Sequence, residues 1–135
     1  MTGHLTGIDT NVLVRFITRD DPYQTSLATV FMDSLTIESP GFISLVVLAE
    51  LFWVLNHSYK ASRTSIIRTL KTLLSSSELF VEDTELVYEA LAMYQETNAD
   101  FDDCLIAKCA YRSGCQDVVA FDRKAARDIG MRVLG

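Results

Sequence analysis

Short apolar runs alternate with longer stretches of helical periodicity along this chain, and that alternation constrains its fold more than any other feature. Residues 5–8, 42–43, 79–81, 118–121 and 131–134 read as short, mostly apolar strands, as strands covered on both faces of a parallel sheet are. Between them lie helical segments. One opens at Asn11, and a second spans residues 22–34, where Asp21 and Pro22 supply an N-cap and a proline at the first turn. Ser44 caps an apolar helix over residues 45–59, and Ser62 opens another in which Ile66, Ile67, Leu70, Leu73 and Leu74 recur at helical spacing. Residues 85–96, 103–112 and 124–129 complete the set, with Gly114 placed to end the helix before it. Strands alternating with helices predict an α/β fold: a three-layer α/β/α sandwich around a parallel sheet of four to five short strands.

A chain of 135 residues with 49% hydrophobic content buries one core, so residues 1–135 are expected to form a single domain. The longest apolar stretch, residues 42–55, is interrupted by Ser44 and Glu50 and is shorter than the roughly 20 residues a membrane span needs. No basic flank or apolar leader opens the chain, and its cysteines, Cys104, Cys109 and Cys115, have neither zinc-site nor redox-pair spacing. Both observations point to the cytoplasm. His4 and His57 stand far apart without a second ligand at helical spacing, and the glycine motifs of phosphate and dinucleotide loops are absent.

In a parallel α/β sheet, ligands bind beyond the carboxyl ends of the strands. Asp9 follows the first strand directly and Asp122 the fourth, while Asp100 and Asp103 stand at the entrance to a helix, close enough to share one side of its first turn. Any one of these aspartates has an ordinary explanation as a helix cap. Glu50 fits that explanation less well: it lies about 9 Å into its helix among Leu48, Ala49, Leu51, Phe52 and Trp53, where a buried carboxylate needs a cation, the alternative being a solvent-facing position on an otherwise buried helix. With no histidine or cysteine cluster nearby, an all-oxygen pocket favours Mg²⁺ or Mn²⁺ over zinc. Crowded carboxylates raise one another's pKa, so metal binding is expected to stabilise the fold.

These residues resemble the PIN-domain family. Its opening motif stands here as Ile8-Asp9-Thr10-Asn11-Val12-Leu13, and its helical acid as Glu50 in Val47-Leu48-Ala49-Glu50-Leu51. Its third station is similar to Ala99-Asp100-Phe101-Asp102-Asp103-Cys104, with Asp103 central and Asp100 a companion, and its fourth to Val119-Ala120-Phe121-Asp122-Arg123-Lys124. The match is ordered and spans almost the whole chain. Ala120 departs from the threonine or serine usual two residues before the last acid, and Asp102 has no counterpart, which leaves it a solvated or capping reading. The resemblance implies a ribonuclease in which bound Mg²⁺ or Mn²⁺ activates a water, leaving 3′-hydroxyl and 5′-phosphate ends. It implies catalytic roles for Asp9, Glu50, Asp103 and Asp122, with Asp9, Asp100, Asp103 and Asp122 holding metal. Thr10, Asn11, Arg123 and Lys124 would position substrate, Thr10 and Asn11 acting on the Asp9 carboxylate or a phosphate oxygen. Small members of the family resemble VapC-type toxins, which cut RNA and are silenced by an antitoxin.

The net charge of −6 opposes binding to a polyanion. Setting aside Asp9, Glu50, Asp100, Asp103 and Asp122, however, leaves the chain close to neutral, and Arg15, Lys108, Arg112, Arg123 and Lys124 lie near the same segments. Low nonspecific affinity favours one folded RNA over general degradation. The helix around residues 51–55 is apolar almost all round, so it also offers a face for a homodimer or an antitoxin helix. Rival readings fit less well. A receiver-like signalling module needs an acidic pair beside its first strand and a lysine after its fifth, and a haloacid-dehalogenase-like phosphatase needs a second carboxylate where Asn11 stands. A PIN fold that only binds is the remaining alternative.

Overall fold

In the computed structural model, which describes residues 3–135, the chain divides into two compact units, Met1–Glu82 and Asp83–Gly135. The first runs β1 (Thr6–Gly7), α1 (Thr10–Thr18), α2 (Pro22–Ser34), β2 (Gly41–Ile43), α3 (Leu45–His57), α4 (Arg63–Ser75) and β3 (Leu79–Val81). Its strands form a parallel sheet in the order β1-β2-β3, with Thr6 opposite Gly41 and Gly41 opposite Leu79. Consecutive strands are parallel because helices carry the chain back to the start of the sheet each time.

The caps read from the sequence operate as expected. The Asp21 side chain accepts from the Gln24 amide, Ser44 from Val47 and Ser62 from Ser65. Between these helices and the sheet sit Leu13, Ile43, Leu48, Leu51, Phe52 and Ile66, all essentially inaccessible to solvent. At Gly41 the packing is so close that a Cβ would fall 2.5 Å from Ile8 Cδ1 and 3.0 Å from Leu35 Cδ1. Only glycine fits that strand position without moving its neighbours.

The second unit contains α5 (Thr84–Glu96), α6 (Phe101–Arg112), β4 (Val119–Ala120), α7 (Arg123–Ile129) and β5 (Arg132–Val133). Leu86, Val87, Ala90, Leu91 and Tyr94 of α5 are buried, as are Phe101, Cys104, Leu105 and Ala107 of α6, and the two helices pack together. Tyr94 and Phe101 meet edge to face, with ring centroids 5.9 Å apart. The α6 helix ends at Ser113, after which Gly114 takes φ +99°, as its predicted role as a stop requires.

The α/β class and parallel pairing agree with the alternation in the sequence. The strands, however, do not form one sheet of four or five: β4 pairs in parallel with β5 alone. Each is two residues long, and their backbone groups are satisfied mutually, Arg132 N donating to Val118 O at 2.8 Å and Leu134 N to Ala120 O at 2.9 Å. No helix among the described residues is long and apolar enough to cross a membrane.

Candidate metal and nuclease site

The predicted site residues fall in both units, and each group has its own local geometry. In the first unit Asp9 occupies the N-cap position of α1 with extended backbone, yet its side chain makes no capping hydrogen bond. The carboxylate is exposed. The adjoining Thr10 is buried, and its hydroxyl donates to Glu50 Oε1 at 2.5 Å, tying α1 to α3 across 40 residues of sequence. That proton is therefore spent on Glu50, and the expected bond from Thr10 to the Asp9 carboxylate does not form. Asp9, Thr10, Asn11, Glu50, Trp53 and Val54 line one depression of about 390 Å³.

Glu50 requires a correction. Its apolar neighbours in sequence imply burial, but the carboxylate is exposed, because α3 turns Leu48, Leu51, Phe52 and Leu55 inward and leaves Val46, Glu50, Trp53 and His57 on its open side. Its charge is solvated, so a bound cation is not needed to make Glu50 tolerable. The same geometry shows that α3 is amphipathic in packing although almost wholly apolar in composition.

In the second unit Asp100 is the N-cap residue of α6 and, like Asp9, makes no side-chain capping bond. The helix begins at Phe101, two residues before the predicted start, which places Asp102 and Asp103 in its first turn. Carboxylate oxygens of Asp100, Asp102 and Asp103 lie within 4.8 Å of one another, all half-buried. Asp102 also accepts from the Asp103 amide at 2.9 Å. Its place in this group was not legible as family pattern; the signal available was its spacing from Asp100 and Asp103 across a helix start.

The Asp103 carboxyl is pushed up to about 6, chiefly by burial, then by the negative charges of Asp102, Asp100 and Asp122, with Lys124 opposing. Burial, more than the expected mutual repulsion, holds the proton. Asp122 caps α7, accepting from the Lys124 amide at 2.9 Å, so its ordinary capping role is real. The Lys124 ammonium lies 3.7 Å from Asp100 Oδ1. Both partners are substantially exposed, so this pair contributes at most about 1 kcal/mol and is readily given up. Arg123 is exposed at the first position of α7.

Two other cations expected near phosphate are engaged elsewhere. Arg15 donates to Gln24 at 2.7 Å and to Tyr59 at 3.2 Å, and also meets Asp20, whereas Arg112 reaches Asp83, Glu85 and Glu89. The donor set suits a hard divalent ion. Clustered carboxylates with a proton held unusually firmly offer oxygen ligands, and their mutual repulsion is what a cation relieves.

The PIN domain family model matches residues 8–129. The "VapC ribonuclease" of Aquifex aeolicus (strain VF5) is 28% identical over 117 residues, covering 87% of this chain and 87% of that protein.

Proposed function

The chain belongs to the PIN-domain family, and from that premise we propose that it is an Mg²⁺- or Mn²⁺-dependent endoribonuclease, the toxin of a toxin–antitoxin pair. The observation that carries this reading is the clustering of Asp100, Asp102 and Asp103, in which Asp103 retains its proton to about pH 6. Carboxylates so arranged gain most from a divalent ion. The family match covers residues of both units, which supports treating residues 1–135 as one functional domain. The name of the Aquifex aeolicus relative supports RNA as the substrate.

Asp9, Asp100, Asp103 and Asp122 are assigned as metal ligands, with Asp102 added on the strength of its neighbours. A bound divalent ion supplies Lewis acidity, lowering the pKa of water and neutralising charge on the phosphate under attack. Asp9 and Asp100 hold helix N-cap positions while withholding their carboxylates from the helix, so neither spends acceptor capacity on capping. Glu50, solvated and oriented by the Thr10 hydroxyl, accepts a proton from the attacking water. Asn11 and Arg123 position phosphate oxygens, and Lys124 joins them by exchanging Asp100 for phosphate.

The expected partners are an RNA, a cognate antitoxin protein and a second copy of this chain, and the expected compartment is the cytoplasm. On α2 the exposed Leu27 lines, with Ile8, Val12, Ala28 and Phe31, a depression of about 450 Å³, and Tyr23 and Val30 are exposed about one turn to either side of Leu27. Their spacing suits an amphipathic antitoxin helix.

The decisive experiment incubates a mixed cellular RNA pool with the protein and Mg²⁺ or Mn²⁺, with and without EDTA, beside Asp9→Asn and Asp103→Asn. Discrete metal-dependent cuts, lost in both variants, are expected. Absence of cutting by folded protein with either metal would overturn the assignment in favour of a module that only binds.

A further inference from the structure

We propose that Trp53 is a stacking platform for a nucleobase flanking the bond that is cut, and so a specificity-determining residue; the inference rests on the nuclease reading. Trp53 follows Glu50 by three positions on the open side of α3 and is 51% exposed. An indole left half in water forgoes much of the stabilisation its burial would bring. His57 stacks against the ring, with centroids 4.5 Å apart and planes 17° from parallel. That stack rests on one face of the indole, and Trp53 also lines the depression containing Asp9, Asn11 and Glu50.

The company Trp53 keeps identifies the occupant. An apolar protein surface laid over the ring would strip water from the Asp9 and Glu50 carboxylates in the same depression, a cost that apolar contact does not repay. A nucleotide avoids it. The flat, uncharged base covers the indole, while the hydroxyl-bearing sugar leaves the carboxylates their polar surroundings. The volume, about 390 Å³, falls in the range of small-ligand sites, roughly 300–1,000 Å³. Stacking on an aromatic side chain requires an unpaired base, so the cut falls in a single-stranded segment.

Trp53 is the sole tryptophan of the chain, so its emission reports directly on this site. In the first measurement, a mixed-sequence single-stranded oligoribonucleotide is titrated into Asp103→Asn, which leaves the RNA uncut, with its binding followed in parallel by anisotropy of a labelled strand. Quenching that saturates with binding is expected; RNA that binds without quenching overturns the proposal, as does failure to bind.

The second measurement compares cleavage of an intact oligoribonucleotide and one with an abasic residue beside the cut, by wild type, Trp53→Phe and Trp53→Ala. For wild type the abasic substrate should raise KM by about 5- to 150-fold, the usual worth of one stacked base. Trp53→Ala should carry that loss already and be indifferent to the missing base, with Trp53→Phe between. An equal abasic penalty in wild type and Trp53→Ala overturns the stacking role. Quenching on RNA binding without cleavage by wild type would instead sink the nuclease reading and leave the stacking intact. A change in oligomeric state on Trp53→Ala, without quenching by RNA, would assign the face to a protein partner.

Discussion

Thr10→Val removes one hydroxyl and little else, because valine keeps the shape of a side chain that is only 6% exposed. The lost bond, 2.5 Å from Thr10 Oγ1 to Glu50 Oε1, is to a charged acceptor. Such bonds are worth about 1.5–3 kcal/mol when the abandoned partner is stranded. Glu50 is exposed and can take water in exchange, so the cost falls just below that range, about 1–1.5 kcal/mol. For a chain of this length that lowers Tm by about 3–5 °C. The larger consequence is catalytic. Without its tether the Glu50 carboxylate spreads over several rotamers, and a penalty near 1.4 kcal/mol for regaining the productive one lowers kcat about tenfold. KM should stay within twofold, and Thr10→Ser, which keeps the hydroxyl and gives up a methyl, should restore kcat while remaining less stable than wild type. Single-turnover cleavage and thermal melts of the three proteins measure both quantities. A Thr10→Val protein that melts lower but cuts with wild-type kcat would show that the bond merely joins α1 to α3.

Asp103 has its pKa raised from 3.8 to about 6 in the folded chain, so its contribution to stability is fully present below pH 3.8 and is lost as pH rises through 6. In EDTA, wild type should therefore lose Tm relative to Asp103→Asn between pH 4 and pH 7; parallel profiles would refute this. Asp20, whose pKa is lowered chiefly by the Tyr59 hydroxyl, acts in the opposite sense and only at lower pH, its contribution being present above 3.8 and lost as pH falls through the folded value. Saturating Mg²⁺ or Mn²⁺ should raise the wild-type Tm, with about 2.7 kcal/mol gained at a hundredfold excess over Kd, and should raise that of Asp103→Asn much less. An equal rise in both would remove Asp103 from the ligand set. Gly41→Ala should destabilise by about 1–3 kcal/mol by forcing a methyl against Ile8, Leu35 and Leu79, as measured by urea unfolding; a neutral result would mean that β2 shifts to make room.

The elements with strong local signals stand where the sequence places them. Residues 22–34 form a helix because Asp21 caps it and Pro22 fits its first turn, and residues 79–81 form a strand within the limits their apolar run sets. The acidic stations were legible in the same way, since Asp9, Asp100 and Asp122 each stand at the end of an element and a helix start is encoded within a few residues. What depended on packing was not. Whether an N-cap aspartate spends its carboxylate on the helix, as Asp122 does and Asp9 and Asp100 do not, depends on side-chain orientation, which spacing leaves open. Composition favoured a cation-paired Glu50 over a solvent-facing one, because every neighbour is apolar, whereas the rotation of α3 against its core decides which of those residues face water. The division of the strands into a group of three and a pair follows from long-range hydrogen bonding. Local sequence thus determined which segments become helices and strands and where their acids stand; tertiary structure decided which side chains those acids meet, because the partners, such as Thr10 for Glu50, lie tens of residues away along the chain.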